Sequence, residues 1–543
     1  MARISWLLLA FLIVAWPARA DELAGQVEKI LKTNCYGCHG QNGASEGGFG
    51  YVMSYDRLVA TRKVTPNDPA KSKIHARMSN SEDPMPPDGV APRPSAEDIA
   101  TVKKWIEAGA PSFNKNTKGL EFIGPEAMIE IMAKDIAGAP PRDRVFLRYF
   151  TLTHLFNAGI SADELASYRV GLSKLINSLS WGRTIVAPKP IDPAKTIMRI
   201  DLRDYRWSTK IWDEILFDNA FGVEYRTDAE KELRKATGTR LPYVRGDWFV
   251  HAASKPRLYH DILELPSTDR ELEKLLKVEV AENIRNDRVV RAGFNGSGVS
   301  RNNRLIERHE SPYGAYWKSY DFAGNAREKN IFSRPLGPGT GNVFEHNGGE
   351  IIFNLPNGLQ AYLLVDAKGK RINKGPVDIV SDPKQPDRQV VNGLSCMTCH
   401  AKGMIEKDDQ VRGHVQNNPS GFSEAERNKI LAIYPVKDKF TTLIRADAER
   451  FRKAVEATGA PLSTTEPVAA LARRFEDQLD VKLLAAEMGV TREIFLQRLD
   501  RSARFSRLVG NVKVTGGTVQ RDIVADEAVL NVGLFGAGRA IGS

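Results

Sequence analysis

Cys35-Tyr36-Gly37-Cys38-His39 and Cys396-Met397-Thr398-Cys399-His400 hold all four cysteines of this 543-residue chain. In a CxxCH pentapeptide two thiols add to the vinyl groups of a haem and the adjacent histidine offers a ring nitrogen to its iron. The two-residue gap sets the thiols at the vinyl spacing. Two copies, each ending in His and with no cysteine left over, predict two covalently bound haem c groups. Cys35, Cys38, Cys396 and Cys399 are then the thioether anchors, and His39 and His400 the proximal iron ligands. Three other uses of paired cysteines compete. A zinc ribbon sets its knuckles roughly 15–20 residues apart, whereas the first cysteines here, at 35 and 396, are 361 residues apart. A thioredoxin-like redox pair does not require the following His. Two structural disulfides would leave both histidines unexplained.

The N-terminus reads as a secretory signal peptide, residues 1–20. Arg3 precedes an almost wholly apolar run from Trp6 to Trp16, and Ala18-Arg19-Ala20 has the form of a cleavage site. The apolar run is shorter than the about 20 residues that a membrane-spanning helix needs. The expected location is therefore the periplasm, with no transmembrane segment after cleavage. That agrees with the pentapeptides, because bacterial c-type haem is attached after export. The formal charge is +10 and falls to +8 without the two leader arginines. Basic and acidic residues are interleaved, and no Lys/Arg run carries aromatics between its charges, so nucleic acid is not an expected partner. Docking to redox partner proteins fits such a surface. The chain is too long for one core.

Residues 21–113 read as one small helical domain. Leu23 to Thr33 is an amphipathic helix running into Cys35, and Gly40 to Gly50 is a glycine-rich loop at the expected haem edge. Asn67-Asp68-Pro69 opens a short helix with Ile74 and Met78. Pro84-Met85-Pro86-Pro87 forces an extended segment. Ser95 caps a last helix with Glu97 and Asp98 in its first turn and Trp105 and Ile106 on its apolar face. This stretch, by Cys35 to His39, Met85-Pro86-Pro87 and Trp105-Ile106-Glu107-Ala108-Gly109-Ala110, resembles the class I cytochrome c fold and, within it, the single-haem domain of planctomycete-type secreted proteins. The resemblance implies Met85 as sixth ligand of haem 1. A thioether on a proline-stiffened loop also loses little entropy on binding iron. Met78 and His75 are rivals, although Met78 sits in a helical pattern where a methionine is more often core.

Beyond residue 113 the sequence divides into a helical region (114–240), a mixed region with antiparallel strands (241–395), the second motif with C-terminal helices (396–510) and a Gly- and Val-rich tail (511–543). Helices are expected over Pro125 to Ala137, Pro141 to Phe156, from the Ser161 cap to Leu179, and over Trp207 to Phe217. Gly349 to Leu355 and Leu359 to Val365 flank Pro356-Asn357-Gly358 as a hairpin. Ala292 to Gly298 reads as a glycine-rich loop whose spacing is not that of a dinucleotide site. The expected fold class is mainly α with a smaller antiparallel β section (α+β): an N-terminal all-α cytochrome c-like domain, then a larger mixed domain carrying the second haem.

The distal ligand of haem 2 is the open position. His251, His260 and His414 are weaker candidates than His309, beside Tyr313, Tyr316, Trp317 and Tyr320, and His346, just before the strand pair. A six-coordinate haem 2 makes the protein an electron carrier, with haem 1 (His/Met) as relay. An open iron permits reaction with a small oxidant, with Arg308, His309 or Glu310 as helpers. A third reading is a binding or redox-sensing protein. In plan the chain is similar to two-haem bacterial cytochrome c peroxidases and two-haem rubber oxygenases. The peroxidases, however, set their motifs closer together and lack a Met-Pro-Pro loop. The remainder resembles a bacterial family of secreted two-haem proteins, which implies no particular substrate.

Overall fold

The computed structural model describes residues 15–40, 46, 49–113, 121–222, 224–338, 343–382, 387–461, 466–514 and 516–524. About 46% of the molecule is helix and 13% strand, which makes it an α+β protein. Most of the glycine-rich loop after His39, the bulk of the apolar run of the leader and most of the tail lie outside the described residues. Among the described residues no helix is long and apolar enough to cross a membrane.

The N-terminal unit is four helices, Ala15–Asn34, Tyr55–Ala60, Lys73–Ser79 and Ala96–Glu107. They enclose a core of their own in which Leu31, Leu58, Met78, Val102, Trp105 and Ile106 are buried. The expected cap is present in full: Ser95 Oγ accepts from the Asp98 N–H while the Asp98 carboxylate accepts from Ser95. That reciprocal pair satisfies two of the helix's orphan donors.

The regions read as 114–240 and 241–395 share one large core, which runs from Met128 to Phe475. Its first sheet has four strands in the order β2-β3-β1-β4: β1 (Leu147–Thr151), β2 (Lys189–Pro190), β3 (Ile197–Asp201) and β4 (Tyr243–Arg245). β1 pairs antiparallel with β3 and parallel with β4. The sequence led us to expect a helix over Pro141 to Phe156. The segment is instead a short 3-10 turn, β1 and the helix Thr153–Asn157. All five residues of β1 are buried, so a strand at the middle of a sheet shows none of the alternation that identifies a half-exposed one.

The second sheet has six antiparallel strands in the order β10-β9-β8-β7-β6-β5: β5 (Val290–Asn295), β6 (Asn303–Ser311), β7 (Gly314–Asp321), β8 (Gly348–Asn354), β9 (Gln360–Asp366) and β10 (Arg371–Ile372). The predicted hairpin is β8–β9. The predicted glycine-rich loop is largely β5. Gly293 lies in that strand because a Cβ there would come within 2.6 Å of Val411 Cγ2. A short pair, β11 (Lys374–Gly375) and β12 (Val390–Val391), leads into the helix Leu394–Cys399, which carries the second pentapeptide. The C-terminal helices follow the sequence pattern, with Ser423 capping Glu424–Ile433 and a long helix at Lys437–Ala457.

Candidate functional site

Both pentapeptides close the same turn. The His39 N–H donates to Cys35 O at 3.0 Å and the His400 N–H to Cys396 O at 2.8 Å. Both imidazoles also spend Nδ1 in the same way, on a main-chain carbonyl: Phe49 O at 2.9 Å for His39 and Gly403 O at 3.2 Å for His400. A carbonyl only accepts, so Nδ1 carries the proton and Nε2 keeps its lone pair. That is the tautomer a metal requires, fixed by the partner of the other ring nitrogen.

Cys35 and Cys396 do not resemble the thiols of a redox pair. None of the four cysteines is in a disulfide. Burial, and then Cys38, pushes the Cys35 thiol up to about 11. Burial, and then the Glu350 carboxylate, raises Cys396 well above the ordinary range. Reactive or zinc-binding cysteines have the opposite shift. The group of metal-ligating side chains that converges among the described residues is His154, Asp247 and Glu487, with no cysteine. Arg245 binds both of those carboxylates and Arg521 also holds Glu487, so the cluster is already neutralised by cations.

At the second motif, Cys396, Cys399 and His400 all line one cavity of about 260 Å³ between their helix and one face of the six-stranded sheet. The register fixes which side chains share that face. Arg304 stands opposite Asp321, Ile306 opposite Ser319, Trp317 opposite Ile352 and Glu350 opposite Leu364. Phe294, Ile306, Trp317, Ile352 and Leu364 supply an apolar wall, and Arg304, Lys374 and Lys407 supply cations. Arg304 is locked by Asp321 through contacts of 2.5 and 2.9 Å. Glu350 Oε2 lies 3.8 Å from His400 Nε2. Burial alone would raise the Glu350 carboxyl, but the His400 ring overrides it and brings the group down to about 2. Two thiols, a histidine whose Nε2 faces into the cavity toward Glu350, an apolar wall and cations match a porphyrin with its two carboxylates. These residues fit a covalent haem.

The motif helix is anchored from behind. Asn392 Nδ2 meets His260 Nε2 at 2.7 Å, Asn392 Oδ1 accepts from the Gly393 N–H, and Ser395 Oγ donates to Asp382 at 2.7 Å. Burial, and then Arg371, pushes the His260 imidazole down to about 4.

Neither distal candidate for haem 2 reaches this cavity. His309 is on β6 with its side chain on the opposite face of the sheet, because residues one apart on a strand point to opposite sides. It is fully buried, 3.2 Å from Glu307 Oε1 and 3.2 Å from Asn283 Nδ2. It therefore belongs to an internal ion network in which Arg291 bonds Glu307 at 2.7 Å. His346 packs its ring against Tyr320 at 5.0 Å, on that same far side. Arg308, read as a possible helper, holds Asp447 at 2.8 Å. Among the described residues His400 is the only histidine lining the cavity, and Met404 lines it too.

The first motif is more open. Cys38 is exposed, and the His39 ring lies 4.8 Å from Phe49, which meets Tyr51 edge-on at 4.9 Å. Met85 is half-buried and donates its main-chain N–H to Arg77 O at 3.0 Å. Met78 is buried in the helical core, while the half-exposed His75 Nε2 lies 3.5 Å from Ser79 Oγ. Sequence reasoning missed Glu350. The available signal was a carboxylate inside the otherwise apolar strand β8, since a buried charge is rare unless paired. No family model, curated protein or solved structure matches the chain.

Proposed function

We propose that the chain is an exported, periplasmic two-haem c-type cytochrome that passes electrons between redox partner proteins. The observation that carries this reading is the repeated ligand geometry: two pentapeptides in unrelated surroundings, each with the same closed turn and each with Nδ1 turned to a main-chain carbonyl. When bound, a haem supplies a one-electron couple. The protein's own groups do the rest. Cys35 and Cys38 would hold haem 1 with His39 as proximal ligand, and Met85 is the proposed distal ligand. Cys396, Cys399 and His400 would hold haem 2, with the sheet face excluding water and Lys407 available to a haem carboxylate.

A second reading, an oxidoreductase reacting at haem 2, is supported by the position of His309 and His346 off the cavity. That position leaves its distal side without a strong nitrogen ligand from those two residues. The test is spectroscopic. Pyridine haemochrome on purified protein is expected to give two haems per chain, and zero or one ends the proposal. Carbon monoxide added to the reduced protein separates the two readings. No binding favours the carrier, and binding at one haem of two favours reaction at haem 2. Met85→Ala is expected to lower one reduction potential only. A shift in both, or in neither, removes Met85 from haem 1.

A further inference from the structure

One helix separates the two pentapeptides. Pro467–Phe475 is buried almost throughout. On one side, Ala469 and Ala472 form a small buried cluster with Leu394, the first residue of the second-motif helix. On the other, Ala470, Leu471 and Arg474 line a cavity that is also lined by Tyr36, the residue after Cys35 in the first motif. At 3.6 residues per turn these two sets fall on opposite sides of the helix. A helix with side chains is about 10–12 Å across, and two alanines make the packing with Leu394.

The helix is seated firmly. Glu466 caps its N-terminus and bonds the buried Lys174 at 2.5 Å. Leu471 is received by Gly171, where a Cβ would stand 2.2 Å from Leu471 Cδ1. His251 Nδ1 is 3.1 Å from Ala472 O and its ring is 4.7 Å from Phe475. The N-terminal unit is held here by ion pairs just beyond the helix, Arg57 with Asp477 at 2.5 Å and Asp56 with Lys482 of the next helix, Val481–Glu487, at 2.6 Å.

We propose that the helix Pro467–Phe475, packed between Tyr36 of the first motif and Leu394 of the second-motif helix, is the bridge through which the two haem sites are electronically coupled. The inference rests on the two-haem reading. The step it describes is one electron leaving a ferrous centre and reducing a ferric one, with no proton, bond or further reactant involved. Electron exchange falls steeply with distance, and this route crosses one helix from Tyr36 to Leu394 and then the second-motif helix, whose Cys396 and Cys399 line the cavity on its other side.

The test uses the full two-haem protein. Electron paramagnetic resonance of the fully oxidised form should show spin–spin interaction between the two irons. A Cys35→Ala/Cys38→Ala protein, which keeps only haem 2, should lose it. Arg57→Glu/Lys482→Glu places like charges at both interface pairs and should weaken the interaction while two haems remain by haemochrome. Two haems without interaction in the unaltered protein overturn the inference and leave the two-haem reading intact. Full interaction in the charge-reversed protein overturns the role of this docking. Fewer than two haems in the unaltered protein overturns the reading beneath it.

Discussion

The two pentapeptides have the same local geometry and opposite housings. The first ends a 20-residue helix of a small helical unit, with its second cysteine exposed. The second is a six-residue helix in the main core, with Cys396 buried and a six-stranded sheet for a wall. The turn and the Nδ1 contact recur, so five residues and a nearby carbonyl suffice to set the histidine. Everything that would distinguish two haems is supplied by residues far away in sequence: exposure, neighbouring charge, and what lies across the ring. An exposed edge suits exchange with another protein. An enclosed site with Glu350 and Arg304 suits a centre screened from solvent.

If the housings are independent, removing one pair of anchors should leave the other site loaded. Cys35→Ala/Cys38→Ala and Cys396→Ala/Cys399→Ala should each reduce the haemochrome yield from two to one, with a single haem adduct in the mass spectrum. Loss of both haems from either protein would break the comparison, because it would make one site depend on the other.

A large effect is expected where the second housing is tied to the rest of the core. Lys174 and Glu466 are both buried and 2.5 Å apart, and Glu466 also accepts from the Ala469 N–H. Lys174→Met leaves an uncompensated buried carboxylate, at a cost of about 3–5 kcal/mol. Denaturant unfolding read at the second haem should move by that amount, and the first unit should move less because it has its own core. Equal shifts at both would mean that the molecule unfolds as one body.

Acid should also separate them. His260 is neutral when folded, with its group brought down to about 4 by burial and then Arg371, and it is bonded to the Asn392 amide that anchors the second motif. A depressed folded value means that the stability contributed is fully present above the unfolded value of about 6.5 and is lost as pH falls from there to about 4. The full loss is about 3 kcal/mol, since each unit is worth about 1.4 kcal/mol. In unfolding curves measured between pH 6.5 and pH 4 the unaltered protein should lose about 3 kcal/mol more stability than His260→Gln, whose side chain does not titrate. Parallel curves would remove His260 from the acid response.

What the sequence made legible follows the same division. The pentapeptides, the Ser95, Ser161 and Ser423 caps and the β8–β9 hairpin are local signals, and each lies where its residues put it. β1 was misread because a fully buried strand has no alternation. β5 was read as a loop because Gly293 answers to Val411, more than a hundred residues away. His309 was singled out for its aromatic neighbours. On a strand, however, the face a side chain occupies is set by register, and one residue's difference moved it from the cavity to the network of Arg291 and Glu307. Glu350 becomes meaningful only when β8 is brought against the motif helix, a contact that no local pattern encodes.

The smallest effect tests the first housing alone. Ser95 caps the helix carrying Trp105 and Ile106, whose side chains are fully buried in the N-terminal core. Ser95→Ala removes the hydroxyl that accepts from the Asp98 N–H and leaves the main-chain N–H of residue 95 on the Asp98 carboxylate, at a cost of about 1 kcal/mol. In a small domain that corresponds to roughly 4–8 °C in the melting temperature. The shift should appear in a melt followed at haem 1 and should be absent from one followed at haem 2. The cap belongs to the N-terminal core, which is separate from the large core around the second motif. If both haems instead report the same displacement, the Arg57–Asp477 and Asp56–Lys482 pairs lock the N-terminal unit to the core tightly enough that the two housings melt together. The helix Pro467–Phe475, packed between the two motifs, would then be a permanent junction.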